Sequence, residues 1–334
     1  MDREKFIQAS ATTRVYEKDL LTKAQIDRLI DQESLHQALS SLSDTIYNDS
    51  IQKMGRDEEY EYMLSKELKR VYELMEKLSP DPYLIDYLKE QYIFHNLKVV
   101  VKEVILDEDL SHAYIDLGDL NTVDLKKYLK DDDKKKPSDN TYYGFAQKAL
   151  DLYEEEKDPQ IIDISLDKDY YHRLLAIAEK EESDFLLNFT KEKIDLVNIK
   201  TLFRANRQEA SKTSLDRALI EGGNIDLKEF DGLLNEDLAK YKESFTSYTV
   251  SKYIDRAFER NNPTDAMLDL EKAIDDHQMD TVKVAKTVTY GPEVLFAYIV
   301  SKETEIKNLR IILTSKLNSL SRDFIKERLR ESYV

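Results

Sequence analysis

The sequence predicts an all-α fold, and three observations carry that reading. Seven glycines and six prolines in 334 residues are about a third of the combined share of ~12% that these residues usually hold, so tight turns are scarce. Apolar residues recur three and four positions apart over long stretches, which is the spacing of one helix face. One such stretch also occurs in three related versions. Together these features predict helices throughout, with very little sheet.

The three versions align on an asparagine: Phe94 to Val101 around Asn96, Leu196 to Phe203 around Asn198, and Ile306 to Leu313 around Asn308. Nine positions earlier stand Tyr87, Phe189 and Ile299, and thirteen earlier Tyr83, Phe185 and Leu295. Leu97, Ile199 and Leu309 follow each asparagine, then a base (Lys98, Lys200, Arg310), then Val100, Leu202 and Ile312. Asp81-Pro82, Ser183-Asp184 and Gly291-Pro292 place capping or proline signals at three helix starts. A helix from Pro82 to Leu106 would be roughly 37 Å long.

An upstream anchor precedes each asparagine: Leu64-Ser65-Lys66, Leu166-Asp167-Lys168 and Leu270-Glu271-Lys272. Downstream, a turn and a short amphipathic helix are expected in each version. These are Gly118 with Val123 to Leu129, Gly222 with Asp226 to Leu234, and Asn318 with Ser321 to Leu329. The two glycines read as matching helix ends. Before the first version, Val15 to Leu42 stands partly outside the pattern, and Thr22 with Gln25 forms a capping box. The asparagines lie 102 and 110 residues apart, too far for solenoid units of roughly 20–50 residues. The expectation is three similar helical domains, an internal threefold repeat of about 105 residues. The charge block Asp131 to Pro137 reads as a linker. The expected domains are 1–137, a first repeat with leading N-terminal helices, then 138–238 and 239–334.

Composition narrows the function. A net charge of −17 argues against a nucleic-acid backbone or an anionic membrane leaflet as partner. The absence of cysteine excludes disulfides and thiolate chemistry and fits a cytosolic location. No apolar run approaches the ~18 residues of a membrane span, and the residues after Met1 carry no signal region, so a soluble protein is expected.

The motifs of catalysis and cofactor binding are missing. Neither Gly-rich phosphate loop occurs, and there is no H-E-x-x-H and no cysteine pair for zinc. Asp167, Asp169 and His172 form D-x-D-x-x-H, read as a solvated helix start with acids favoured by the dipole. Asp107, Glu108, Asp109 and His112 read the same way. The acidic runs at Asp131 and at Asp275-Asp276-His277 lack the fifth acid of a D-D-x-x-D magnesium motif. No catalytic, cofactor-binding or metal residues are assigned, and the partner interface is not readable. Each aligned asparagine is expected to bond a neighbouring helix while its base caps or snorkels. The alternative is that the bases line a surface met by a partner.

Several of these stretches resemble a known family. Glu305 to Leu313 with Lys316-Leu317-Asn318 and Ile325 to Leu329, Arg14 to Leu21, and Val197 to Ala205 are similar to the end, start and middle of the C subunit (the d subunit in eukaryotes) of the V/A-type rotary ATPases. The resemblance covers essentially the whole chain. It implies three helical domains forming a funnel on the cytoplasmic end of the membrane proteolipid ring. The funnel would receive a central shaft of the D and F subunits and transmit torque between ATP hydrolysis or synthesis and proton or sodium transport. It implies a non-catalytic protein without cofactors, peripheral on the cytoplasmic face through the ring. A helical scaffold of another soluble complex is the alternative reading.

Overall fold

The computed structural model describes residues 3–131, 141–259 and 263–334. Among them all regular elements are helical and there is no strand. No described helix is long and apolar enough to cross a membrane. The expected linker lies outside the described residues from 132 onward.

Backbone contacts divide the chain into two compact units, Met1–Ile85 with Phe245–Val334, and Asp86–Ser244. In chain order the helices are α1 (Ile7–Tyr16), α2 (Lys23–Asp31), α3 (Leu35–Ser40), α4 (Asn48–Ile51), α5 (Tyr60–Leu78) and α6 (Tyr83–Leu106). Then come α7 (Thr122–Lys130), α8 (Thr141–Glu156), α9 (Gln160–Lys180), α10 (Asp184–Arg207), α11 (Lys212–Ala218), α12 (Leu227–Asp231) and α13 (Leu238–Phe245). The last are α14 (Ser251–Ala257), α15 (Pro263–Lys283), α16 (Pro292–Leu317) and α17 (Arg322–Arg328).

The three aligned stretches lie on the three longest described helices, α6, α10 and α16, of 24, 24 and 26 residues. The aligned apolar positions nine and two before and one and four after each asparagine are all buried. At thirteen before, Tyr83 and Leu295 are buried and Phe185 is half-buried. The start signals act as the sequence predicts. Ser183 accepts from the Leu186 N–H, Pro292 sits in the first turn of α16, and Thr22 and Gln25 form the reciprocal capping box of α2.

The helix ends differ from the expectation. All three long helices give way to a non-glycine residue in the left-handed region, 11 positions after the asparagine: Asp107 (φ 50°), Glu209 (φ 51°) and Ser319 (φ 54°). After α10 and α16 the N–H of Ala210 and Leu320 reaches back to the carbonyls of Ala205 and Ser315, each at 2.9 Å, closing the last turn. Gly118 (φ 85°) and Gly222 (φ 95°) lie further on, in loops. A Cβ there would meet Ile93 Cγ1 at 2.5 Å and Leu175 Cδ1 at 2.4 Å, so these glycines mark close passage of the chain over buried helices.

The short helices also match differently. Ser321, N-cap of α17, lies 13 residues after Asn308, and Ser211, N-cap of α11, lies 13 after Asn198. Both helices bury one apolar residue, Leu215 or Ile325, four positions after the cap. The counterpart of α17 is therefore α11 and not the Asp226 to Leu234 segment.

Each unit has its own apolar core. In Asp86–Ser244, Phe94, Leu97, Val100 and Val101 of α6 pack with Leu125 and Leu129 of α7, Ala146 and Ala149 of α8, and Ile162 and Leu166 of α9. In the other unit, Ile306, Leu309, Ile312 and Leu313 of α16 pack with residues of α2, α3 and α5. Each large apolar side chain removed from water contributes about 1.5–3 kcal/mol.

Gly222→Ala should lower unfolding free energy by about 1–3 kcal/mol, because the left-handed backbone and the Leu175 clash act together. Gly144→Ala, in α8 with nothing within 4 Å of the new carbon, should raise it by about 0.5–1 kcal/mol. Urea unfolding followed by circular dichroism checks both signs.

Candidate functional site

The aligned asparagines are buried, 4%, 1% and 1% exposed, and each holds one backbone residue further along the chain. The Asn96 side-chain amide donates to the Ile115 carbonyl at 2.8 Å, and its oxygen accepts the Ile115 N–H at 3.0 Å. Asn198 makes both bonds to Ile220 at 2.8 Å. Asn308 makes them to Arg330 at 3.0 and 2.8 Å. The held residue follows a short helical turn: Ser111–Ala113, α11 or α17. A carboxamide suits this position because one short side chain offers a donor and an acceptor together. The sequence pointed to a neighbouring helix as the partner. The structure places the asparagine on the chain that returns across its own helix.

Lys98 and Arg310 form ion pairs with other helices and do not cap their own. Lys98 pairs with Asp167 of α9 at 2.7 Å, and Lys102 of α6 pairs with Asp163 at 2.9 Å. Arg310 forks onto both oxygens of Glu61 of α5 at 2.7 and 3.0 Å. These pairs are partly exposed and fix helix orientation more than they stabilise.

A second polar cluster lies deep in the unit that contains α5 and α16. The Lys302 ammonium, fully buried, sits 2.8 Å from Glu305, 3.3 Å from Glu67 and 3.1 Å from the Asp19 carbonyl. Glu305 also accepts the Tyr47 hydroxyl at 2.6 Å and the Leu21 N–H. Glu67 is forked by Arg70 at 2.7 and 2.9 Å, which holds the guanidinium above its ordinary pKa. Burial, then the negative charges of Glu305 and Glu67, push the Tyr47 hydroxyl well above its ordinary value. No motif in the sequence marks this cluster. The available signal was a pair of charges on an otherwise apolar face, Lys302 three after Ile299 and Glu305 four before Leu309.

In the other unit Glu90 of α6 is buried, and its Oε1 accepts from Arg173 and Tyr142, each at 2.9 Å. Its Oε2 has no hydrogen-bond partner. Burial pushes this carboxyl above its ordinary value despite both donors.

The acidic motifs do not converge. Residues 167–172 fall inside α9 and not at a helix start. Asp167 points to Lys98, Asp169 to Lys148 at 2.9 Å, and His172 is exposed. Asp107 pairs with Lys130, while Asp109 accepts the Ser111 N–H at 2.9 Å. Asp275 takes Lys307 and Arg330, Asp276 takes the Glu331 N–H at 3.1 Å, and His277 is buried edge-on to Tyr253. Among the described residues no three His, Asp or Glu side chains are placed to hold a metal ion. An open cleft of about 590 Å³ between α9, α10 and α11 has Asp163, Asp167, Arg204 and Arg217 on its walls. Three of these side chains are committed to ion pairs.

The model of the ATP synthase (C/AC39) subunit family matches residues 9–328. The chain belongs to that family. Within it, the chain is 26% identical over 317 residues to the C subunit of the V-type sodium ATPase of Enterococcus hirae, covering 95% of both chains. It is 26% identical over 335 residues to the C subunit of the A-type ATP synthase of Thermococcus kodakarensis, covering 95% of this chain and 88% of that one. The corresponding protein of Methanosphaera stadtmanae is 25% identical over 347 residues, covering 98% and 89%. The match spans all three asparagine-bearing helices, and Arg330, the residue that Asn308 holds, lies two positions beyond its end.

Asn198→Ala should cost about 2–4 kcal/mol, because it strands a buried backbone N–H and carbonyl at Ile220. Arg310→Ala should cost less than about 1 kcal/mol. Denaturant midpoints of the two variants separate these magnitudes. Glu90 gives a pH test. A carboxyl with a raised folded pKa keeps its proton in the fold after the unfolded chain has lost it, so stability falls as pH rises from the unfolded value near ~4.3 through the folded one. Glu90→Gln removes that loss. Relative to the parent, the variant should gain stability as pH rises above the unfolded value near ~4.3, as read by urea unfolding at each pH.

Proposed function

We propose that this chain is a non-catalytic central-stalk rotor component of a V/A-type ATPase. It connects a D–F shaft to the membrane proteolipid ring and transmits the torque that couples ATP hydrolysis or synthesis to proton or sodium transport. It works from the cytoplasmic face, held at the membrane by the ring and carrying no cofactor of its own. The observation that carries this reading is the family match over residues 9–328, joined to relatives named as the C subunits of V-type and A-type enzymes over nearly their whole length.

The proposed body is three similar helical domains arranged as a funnel, with repeats at 1–137, 138–238 and 239–334. Three features support a common ancestry for the repeats. Each long helix buries the same apolar positions around its asparagine. Each asparagine clamps a backbone residue 19 or 22 positions later. Each helix gives way to a left-handed residue at the same distance from it.

Removing the chain from native membranes separates this function from a general scaffold role. ATP-driven ion uptake into membrane vesicles should be lost, while ATP hydrolysis by the detached catalytic head persists. Re-adding the purified chain should restore uptake. Undiminished uptake without the chain would overturn the rotor reading.

A further inference from the structure

The contact between α5 and α16 joins residues more than 230 positions apart in sequence and is cross-linked at four levels. Tyr60 and Thr314 meet at 3.0 Å, Glu61 and Arg310 at 2.7 Å, Glu67 and Lys302 at 3.3 Å, and the Tyr72 hydroxyl donates to Glu303 at 2.6 Å. The first three contacts run down α16 as they run up α5, so the helices are antiparallel. Between them the contact is apolar: Met63 and Leu64 of α5 lie in one core with Ile306, Leu309, Ile312 and Leu313 of α16.

Such a face adheres strongly but reads register poorly. Aliphatic ridges recur every turn, so a slide of one turn, roughly 5.4 Å, brings similar side chains together again. The polar residues do not tolerate that slide. Lys302 is enclosed between Glu305 of its own helix and Glu67 of α5, and moving α5 by one turn would take the buried Glu67 carboxylate out of reach of the ammonium, leaving Lys302 with Glu305 and Glu67 with Arg70. The same side chain holds the Asp19 carbonyl, and Glu305 holds the Leu21 N–H and the Tyr47 hydroxyl. One cluster on α16 therefore touches three separate places in residues 19–67. Glu61–Arg310 and Tyr60–Thr314 lie partly in solvent and can exchange partners with water at little cost.

We propose that the Lys302–Glu67–Glu305 cluster sets the register of residues 19–78 on α16, while the surrounding apolar side chains supply the adhesion. Lys302 is a positioning residue. Its role is to exclude the neighbouring slid packings, which are nearly as apolar. That role lies within one unit of the fold and is independent of the rotor reading.

The chain has no cysteine, so Lys77→Cys and Leu317→Cys accept spin labels at two defined places. Lys77 is exposed at the end of α5 and Leu317 is exposed at the end of α16. Because the helices are antiparallel, the label-to-label vector lies mostly along their axes and reports sliding directly. In the full-length labelled chain, pulsed electron paramagnetic resonance should give one narrow distance distribution. Adding Glu67→Gln, Lys302→Met and Glu305→Gln removes the buried charges at similar volume. The expected result is a second population displaced by about 5 Å, one helical turn, in a chain that still unfolds cooperatively. One narrow distribution at the parent distance would overturn the proposal and assign register to apolar packing. If the triple variant does not fold, Glu67→Gln with Lys302→Met leaves Glu305 holding Leu21 and Tyr47, and the same two outcomes decide.

Discussion

A buried carboxamide that grips both polar atoms of one distant backbone residue is the interaction around which this chain is organised. A long helix satisfies its own backbone, but the segment that leaves it and crosses back has no such partner. Wherever that segment is buried its N–H and carbonyl must be paired or cost several kcal/mol. Asn96, Asn198 and Asn308 supply both partners from within the helix being crossed. That contact fixes where the returning chain lies. It also fixes how the preceding short helix covers the apolar face, with Leu215 or Ile325 pressed inward. Glycine follows where the chain passes too close for a side chain, as at Gly222 over Leu175.

The apolar face around each asparagine could be read from one line of sequence, because helical spacing and burial are consequences of the same geometry. The capping box at Thr22 and the cap at Ser183 were equally visible, since their partners lie within three residues. The helix ends were not. Glycine is the usual occupant of a left-handed cap, and here Asp107, Glu209 and Ser319 take that conformation, so the two conspicuous glycines drew attention to the wrong turns. The short helix after Asn308 was matched to the wrong segment for a related reason. Short amphipathic helices look alike, and only the common spacing from asparagine to cap distinguishes α11 from the segment beyond Gly222.

The candidate site was less legible than the fold. Asn96, Asn198 and Asn308 were singled out, but not the backbone they hold, because the carboxamide's partner carries no side-chain signature. The grouping of Lys302, Glu305 and Glu67 was hidden for another reason. Glu67 meets Lys302 across more than 200 residues of sequence, and each charge alone resembles an ordinary surface charge on a helix. The D-x-D-x-x-H pattern showed the converse. Neighbours in sequence at Asp167 and Asp169 turn to different helices, where Lys98 and Lys148 neutralise them. Ion pairs to other helices account for Asp167 and Asp169, and a backbone N–H for Asp109 and for Asp276.

Electron cryomicroscopy of the complex recovered from native membranes through an affinity tag on this chain tests the central claim most directly. A rotor role predicts one copy of the chain on the rotor axis, between the proteolipid ring and a central shaft seated in it. A copy located off that axis on a peripheral stalk, or a purified assembly that contains neither ring nor shaft, would contradict it.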